Sequence, residues 1–227
     1  MIFSKKLIQY KGISHCFFNK IGGQSKGIYK SLNCGNGSSD KKEDVKKNIK
    51  LACNKLNSSH KKLILLNQIH SNKFHYIKNT SSLKKILVGD ALITKKPKII
   101  LGILTADCAP VIILDKKLKI ISAIHAGWKG AYKGIIKKVV SQLYKMGSKP
   151  EDLIAVIGPC ISQKNYEVKN DFKDKFIKKS KNNKIYFKRA KNKSYFSLNK
   201  FVYNELSKLK IKNIEIINKD TYNLKNN

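Results

Sequence analysis

Three residues able to do chemistry stand far apart in this 227-residue chain: His70, Cys108 and His125. Each lies at the end of an apolar run, so each sits at a strand-to-loop junction. Cys108 and His125 flank the charged turn Asp115-Lys116-Lys117, equally far from the Lys116–Lys117 bond. A hairpin centred on that bond pairs them. A soft sulfur and an imidazole at one point suit a transition metal or a Cys/His catalytic pair. The bland alternative is a buried Cys beside a hydrogen-bonded core His. If His70 emerges at the same sheet end, two imidazole nitrogens and a thiolate make a three-ligand zinc site with an open fourth position. Such a site activates a water. Asp107 adjoins Cys108 and Asp90 closes a neighbouring loop. Either carboxylate could orient a ligand His or serve as acid or base, although isolated carboxylates more often cap or face solvent. Cys160 could line the same site or pack in the core. His15, His60 and His75 lack comparable settings; His60 reads as solvated and His75 as facing outward from a strand.

The elements that must position these residues follow from periodicity. Strands are expected at 13–18, 63–66, 74–77, 89–94 and 99–104, in the hairpin, and at 153–157 and 214–217. Asp40 and Glu43 read as a variant capping box before a helix over 42–56. The clearest helix runs over 129–146, with Gly147 as its C-cap and Pro150 just beyond. A weaker helix covers 171–179, and another follows residues 195–198. Residues 31–37 form a Gly/Asn-rich loop, and 81–85 a polar connection. Trp128, the only tryptophan, either stacks on a heteroaromatic ring or packs in the core. Hairpins mixed with helical crossovers predict an α/β fold of mixed sheets with helices outside, in a single domain over 1–227.

Composition narrows the function classes. The net charge of +34 suggests a polyanion partner. Yet Arg189 is the single arginine among 48 basic residues, whereas nucleic-acid readers lean on Arg for bidentate contacts. The lysines spread along the chain as a solvated surface, which argues against a nucleic-acid partner. No apolar run is long enough to span a bilayer, and Met1 to Lys6 lacks a signal-peptide core. Five scattered cysteines with no Cys-x-x-Cys argue against a disulfide framework or a structural zinc ribbon and suit the cytoplasm.

Several segments together resemble the laccase-domain family, also called polyphenol oxidase-like or purine nucleoside phosphorylase-like. They are Asn67-Gln68-Ile69-His70, Gly89-Asp90-Ala91, Thr105-Ala106-Asp107-Cys108-Ala109-Pro110, His125-Ala126-Gly127-Trp128-Lys129-Gly130 and Gly158-Pro159-Cys160. Phe17-Phe18-Asn19-Lys20-Ile21-Gly22-Gly23 and Ser31-Leu32-Asn33-Cys34-Gly35 match too. The resemblance implies a layered sandwich of sheets flanked by helices, similar to the Cys-His domain of a deamidating toxin. It implies zinc on His70, Cys108 and His125. It also implies phosphorolysis of adenosine, inosine and methylthioadenosine, and hydrolytic deamination of adenosine. Cys108, His125 and Asp107 are then the catalytic candidates; Asn33, Trp128 and Lys129 are the substrate contacts. Lys129 stands where the family usually has arginine, keeping the charge without the bidentate fork. Family members usually carry a Phe-Phe-Ser segment with paired arginines beyond Asp220-Thr221-Tyr222, and this chain stops at Asn227. Lysines near the site could hold phosphate. A copper oxidase of the multi-copper kind needs more ligands than five histidines with no His-x-His pair can give, although copper could occupy the same three ligands. Two other readings compete: a metal-free hydrolase with Cys108 as nucleophile and His125 as base, including editing of a peptidoglycan precursor, and a basic nucleic-acid-binding protein.

Overall fold

The computed structural model describes residues 1–59, 62–79 and 86–222; the expectations for His60 and for 81–85 lie outside these. In chain order the described elements are α1 (Lys42–Asn54), β1 (Leu63–Ile64), β2 (Leu66–Asn67), β3 (Phe74–Ile77), β4 (Leu87–Val88), β5 (Ala91–Thr94), β6 (Ile100–Leu101), β7 (Ala109–Asp115) and β8 (Ile120–Ala126). There follow α2 (Trp128–Tyr132), α3 (Ile135–Lys145), β9 (Leu153–Ile157), β10 (Glu167–Val168), α4 (Asn170–Lys179), β11 (Phe187–Ala190), β12 (Lys193–Phe196), α5 (Leu198–Lys208) and β13 (Asn213–Ile216).

A mixed six-stranded sheet in the order β13-β9-β7-β8-β5-β3 forms the centre. Strands β7, β8 and β9 are nearly continuous runs of Ile, Val, Leu and Ala because both their faces are covered. Val111, Ile113, Ile124, Ala155 and Ile157 face α3 and α5. Ile112, Leu114, Ile154 and Val156 face the N-terminal segment through Leu7 and Phe17. Leu92 meets the short parallel ladders β1-β6 and β2-β4 through Ile64 and Leu66. The mixed α/β arrangement expected from periodicity is what the structure shows. No helix among the described residues is long and apolar enough to cross a membrane.

The hairpin differs from expectation in register. Pro110 pairs with His125, so Cys108 falls opposite Gly127. The cause is Asp115: its Oδ1 accepts the N–H groups of Lys117 (2.9 Å) and Leu118 (2.7 Å), wrapping a wider turn in which Lys119 has φ +55°. A shift of two residues preserves the face of every side chain, so Cys108 and His125 still share one side.

The expected helix over 129–146 is two helices. Gly134 has φ +85°, a conformation cheap only for glycine, and it breaks α2 from α3. α3 is rich in Ile and Val, each costing up to about 0.7 kcal/mol in helix propensity. Burial of Ile135, Ile136, Val139, Val140 and Leu143 outweighs this at about 1.5–3 kcal/mol per side chain. The proposed capping box does not form: α1 is preceded by Lys41 with no side-chain cap, because Asp40 instead receives Asn33 Nδ2 (2.9 Å). Residues 13–18 form no strand, only a bridge between Ile2 and Phe17. The 63–66 run is split between β1 and β2, and 99–104 narrows to β6, outside the central sheet.

The N-terminal segment is tied down by His15, whose Nε2 accepts the Ser4 N–H at 2.8 Å. Burial lowers the His15 pKa below its ordinary 6.5. The unfolded chain therefore binds a proton near pH 6.5 that the folded chain refuses, so stability is full above that pH and is lost as pH falls toward and through the folded value. Urea midpoints measured at pH 7.5 and 5.5 should fall more for the native chain than for His15→Gln. An equal fall in both would contradict this role.

Candidate metal centre

Asp90 lies just before β5, and its carboxylate is fully buried. It accepts four hydrogen bonds. Oδ1 receives the His70 N–H (2.9 Å) and His125 Nδ1 (2.8 Å). Oδ2 receives the N–H and the hydroxyl of Ser71, both at 2.6 Å. Burial pushes the Asp90 pKa up, but the bonds from Ser71 and His125 outweigh it, and the net direction is down. The side chain is a carboxylate, so His125 Nδ1 must carry the proton and donate it. The Nε2 lone pair is thereby left for a cation. Burial, with His70 nearby, also lowers the His125 pKa against the pull of Asp90. The ring is held neutral, as a metal ligand requires.

His70 is a non-glycine residue at φ +55°. Histidine tolerates this region better than most side chains, and Asp90 holds the turn by gripping the N–H groups of both His70 and Ser71. Gln68 anchors the same loop from the other end. Its Nε2 donates to Leu104 O (2.7 Å) and its Oε1 accepts Leu104 N–H (2.8 Å). This two-point clamp joins the loop that carries His70 to the segment that leads to Cys108.

The result is convergence. Cys108 Sγ lies 3.8 Å from His70 Nε2. The rings of His70 and His125 are 4.7 Å apart at 71°. One ligand atom from each of His70, Cys108 and His125 falls within 4.8 Å of the others. A tetrahedral ion at about 2.3 Å from sulfur and about 2.0 Å from nitrogen would separate neighbouring donors by about 3.5 Å, against 3.8 Å between Cys108 Sγ and His70 Nε2. Among the described residues this is the one such group of His, Cys, Asp or Glu. Gly127 keeps the space open: a Cβ there would lie 2.7 Å from Cys108 Sγ and 2.9 Å from His70 Cδ2. Its φ of −66° is ordinary, so the requirement is steric.

Burial pushes the Cys108 thiol up to about 11, with Asp107 and Asp90 adding to it. A thiol so raised is protonated at neutral pH, which weighs against a metal-free nucleophile; a cation displaces that proton. Asp107 is exposed, and its Oδ1 accepts the Thr221 hydroxyl at 3.0 Å. Cys160 is buried, and burial pushes its thiol to about 12 with help from Asp220 and Cys108. Trp128 packs edge-on against Phe172 with centroids 4.8 Å apart. Lys129 is exposed, its Nζ 5.7 Å from the Trp128 centroid. Asn33 is engaged within its own loop: Nδ2 donates to Ser38 and Asp40, and Oδ1 accepts the Gly35 N–H. His15 and His75 bond to the backbone elsewhere, at Ser4 and Val88.

Sequence reasoning overlooked Ser71, Gln68, Gly127 and Tyr166. Tyr166 neighbours Cys108 and Asp107, and its hydroxyl pKa is raised, first by burial and then by those charges. The Gln-x-His and Gly-Trp spacings held signals for Gln68 and Gly127. Nothing in the sequence pointed to Tyr166.

Residues 14–227 match the family model described as multi-copper polyphenol oxidoreductase laccase. A Rickettsia conorii protein named purine nucleoside phosphorylase is 38% identical over 162 residues, which cover 70% of this chain and 66% of that one. A Bacteroides thetaiotaomicron protein of the same name is 36% identical over 186 residues, covering 78% and 69%. The chain thus spans about two thirds of the length of these curated relatives. The hypothetical protein YfiH of Bacillus licheniformis superposes with a TM-score of 0.83 at 28% identity, over 89% of this chain and 80% of that one. A Neisseria meningitidis protein does so at 0.80 and 27%, over 89% and 81%. With the match running from residue 14 to the last residue, the chain belongs to the multi-copper polyphenol oxidoreductase laccase family, among relatives that bear the name purine nucleoside phosphorylase.

Proposed function

We propose that this chain is a zinc-dependent purine nucleoside phosphorylase, acting on adenosine, inosine and methylthioadenosine and also deaminating adenosine. The single observation that carries the reading is the convergence of His70, Cys108 and His125 on one point. The names of the relatives supply the reaction class, and the family resemblance supplies the substrates. Two ring nitrogens and one sulfur suit zinc. The family's description speaks of several coppers, but one group of three donors among the described residues is too few for a trinuclear cluster and a blue-copper site.

When bound, zinc supplies a Lewis acid that can activate water or polarise the purine. The chain's own residues do the rest. His125 and His70 present their ring nitrogens because Asp90 grips the proton-bearing nitrogen of one and the backbone of the other. Trp128 offers an aromatic surface for the base. Asp107 stands beside Cys108, placed to pass a proton to or from the purine. In phosphorolysis a phosphate oxygen bonds to the ribose anomeric carbon as the bond to the purine nitrogen breaks. The electron pair leaves with the purine, which takes a proton. In deamination water replaces the amino group, which departs as ammonia. These steps are redox-neutral and require no electron transfer.

Purified protein should carry about one zinc per chain, the content of a mononuclear catalytic site. Cys108→Ala should lose both the metal and nucleoside turnover; an inactive variant that keeps full metal would remove Cys108 from the ligand set. Incubating one sample with adenosine, with and without phosphate, should give adenine plus ribose 1-phosphate in the first case and inosine in both. Asp90→Asn should weaken zinc binding about 10- to 100-fold, the usual cost of losing a ligand's orienting partner, as read by competition with a chelating dye. Unchanged affinity would deny Asp90 its positioning role. Gly127→Ala should keep the native circular dichroism and bind zinc poorly, because its methyl group lies against Sγ; full metal content in that variant would show that the centre has room to spare.

A further inference from the structure

We infer that Cys108 and Cys160 form a redox pair: oxidation joins their sulfurs in a disulfide that takes Cys108 away from the metal centre, and reduction returns it. The bridge rests on the pairing of the chain around the two residues. Its consequence for the metal rests on the reading of Cys108 as a ligand.

Cys160 is a buried thiol that the proposed mechanism leaves unused. It stands outside the donor group of His70, Cys108 and His125, yet the sheet sets it beside Cys108. Strand β7 pairs antiparallel with β9, Val111 opposite Ile157. Three residues beyond that pair, the same register brings Cys108 opposite Cys160. Backbone hydrogen bonds carry the pairing that far and bracket both cysteines. The Gly158 N–H donates to Pro110 O at 2.8 Å, and the Ile161 N–H donates to Asp107 O at 3.0 Å. Directly opposed residues of antiparallel chains stand about 4.5–5.5 Å apart at Cα, inside the roughly 4.4–6.8 Å that a disulfide spans. The side-chain surroundings agree. Cys108 and Asp107 are among the charges that act on the Cys160 thiol, and Tyr166 responds to all three.

Both thiols are free. The Cys108 sulfur is turned toward His70, 3.8 Å from Nε2. Rotated one way about its Cα–Cβ bond it completes the donor group; rotated the other way it meets Cys160. One sulfur serves one arrangement at a time, so the bridge and the metal exclude each other.

Exposure sets the order of steps. Cys108 is half-buried and Cys160 is only 4% exposed, so hydrogen peroxide reaches Cys108 first. The Cys108 sulfur bonds to one peroxide oxygen as the O–O bond breaks, giving a sulfenic acid and one water. The Cys160 sulfur then bonds to the Cys108 sulfur, and the S–O bond breaks. The hydroxyl departs with the Cys160 proton as a second water. Two thiols are oxidised and one peroxide is reduced. Burial keeps both thiols protonated, which slows the first step. The second is intramolecular and therefore favoured. A resolving thiol in this place holds Cys108 at the reversible level of oxidation and keeps it from sulfinic acid.

The test uses the native chain, reduced and freed of metal, treated with hydrogen peroxide, blocked with an alkylating reagent and mapped by mass spectrometry. A peptide pair lighter by two hydrogens should join Cys108 to Cys160, and dithiothreitol should reverse it. Zinc binding, read with a chelating dye, should fall in proportion to the bridged fraction and return with the reductant. Cys160→Ser and Cys160→Ala should bind zinc as the native chain does before oxidation. In both, peroxide should carry Cys108 on to sulfinic acid, and the loss of zinc binding should then resist dithiothreitol. The map of the native chain decides the bridge without either variant. Cys108 joined to a different cysteine, or carried to sulfinic acid while Cys160 stays reduced, would overturn the pair. A Cys108–Cys160 bridge that leaves zinc binding intact would uphold the disulfide and remove Cys108 from the ligand set. Zinc binding that needs Cys108, in a chain that forms no such bridge, would do the reverse.

Discussion

The centre of this molecule depends on a carboxylate that has no access to water. Burying a charge costs several kcal/mol unless polar partners replace the lost solvent. Asp90 meets that demand with four donors, three from the His70–Ser71 turn and one from His125. The same bonds that satisfy the charge also set the candidate metal ligands. They hold His70 in a left-handed turn, choose the His125 tautomer and join two loops separated by some of the longest strands of the sheet. Loss of any one donor leaves part of a buried charge unpaired, so the arrangement is self-enforcing.

Around that carboxylate the fold solves a problem of space. Cys108 and His125 leave adjacent strands on the same face, and the wide turn wrapped on Asp115 sets their register. Gly127 then lets the chain pass within contact distance of the sulfur before α2 begins. Gly134 stops α2 after little more than a turn, which frees α3 to lie along the sheet. Each glycine acts by a different cause, one through the absence of a side chain and the other through its backbone freedom. Rigid strands carry the donors, and the metal chemistry proposed for them needs that rigidity.

Electrostatics divides the protein into two regimes. The centre is tightly paired and holds one buried negative charge, the Asp90 carboxylate, beside a neutral His125 imidazole and a protonated Cys108 thiol. The chain as a whole carries a net charge of +34, with two lysine–carboxylate pairs among the described residues. Spread lysines attract anions only weakly and are screened by salt. A few of them are held over aromatic rings, Lys129 and Lys175 at Trp128 and Lys175 also at Tyr132.

The sequence by itself determined much of this. Alternating and continuous apolar runs specified β3, β5, β7, β8, β9 and β13, because strand burial is written in residue type. Residue chemistry singled out His70, Cys108 and His125, because few side chains bind transition metals, and it marked Asp90 as a possible orienting group. Local signals failed where a tertiary partner outbid them. Asp40 gave up its cap to receive Asn33, and residues 13–18 packed over the sheet as irregular chain around Phe17. Only the tertiary structure could show that one Asp90 oxygen holds both histidines, that Gln68 clamps Leu104, that Tyr166 neighbours Cys108, and that Lys175 shares a ring with Lys129. Those contacts join residues tens of positions apart, and distance along the chain carries no record of distance in space.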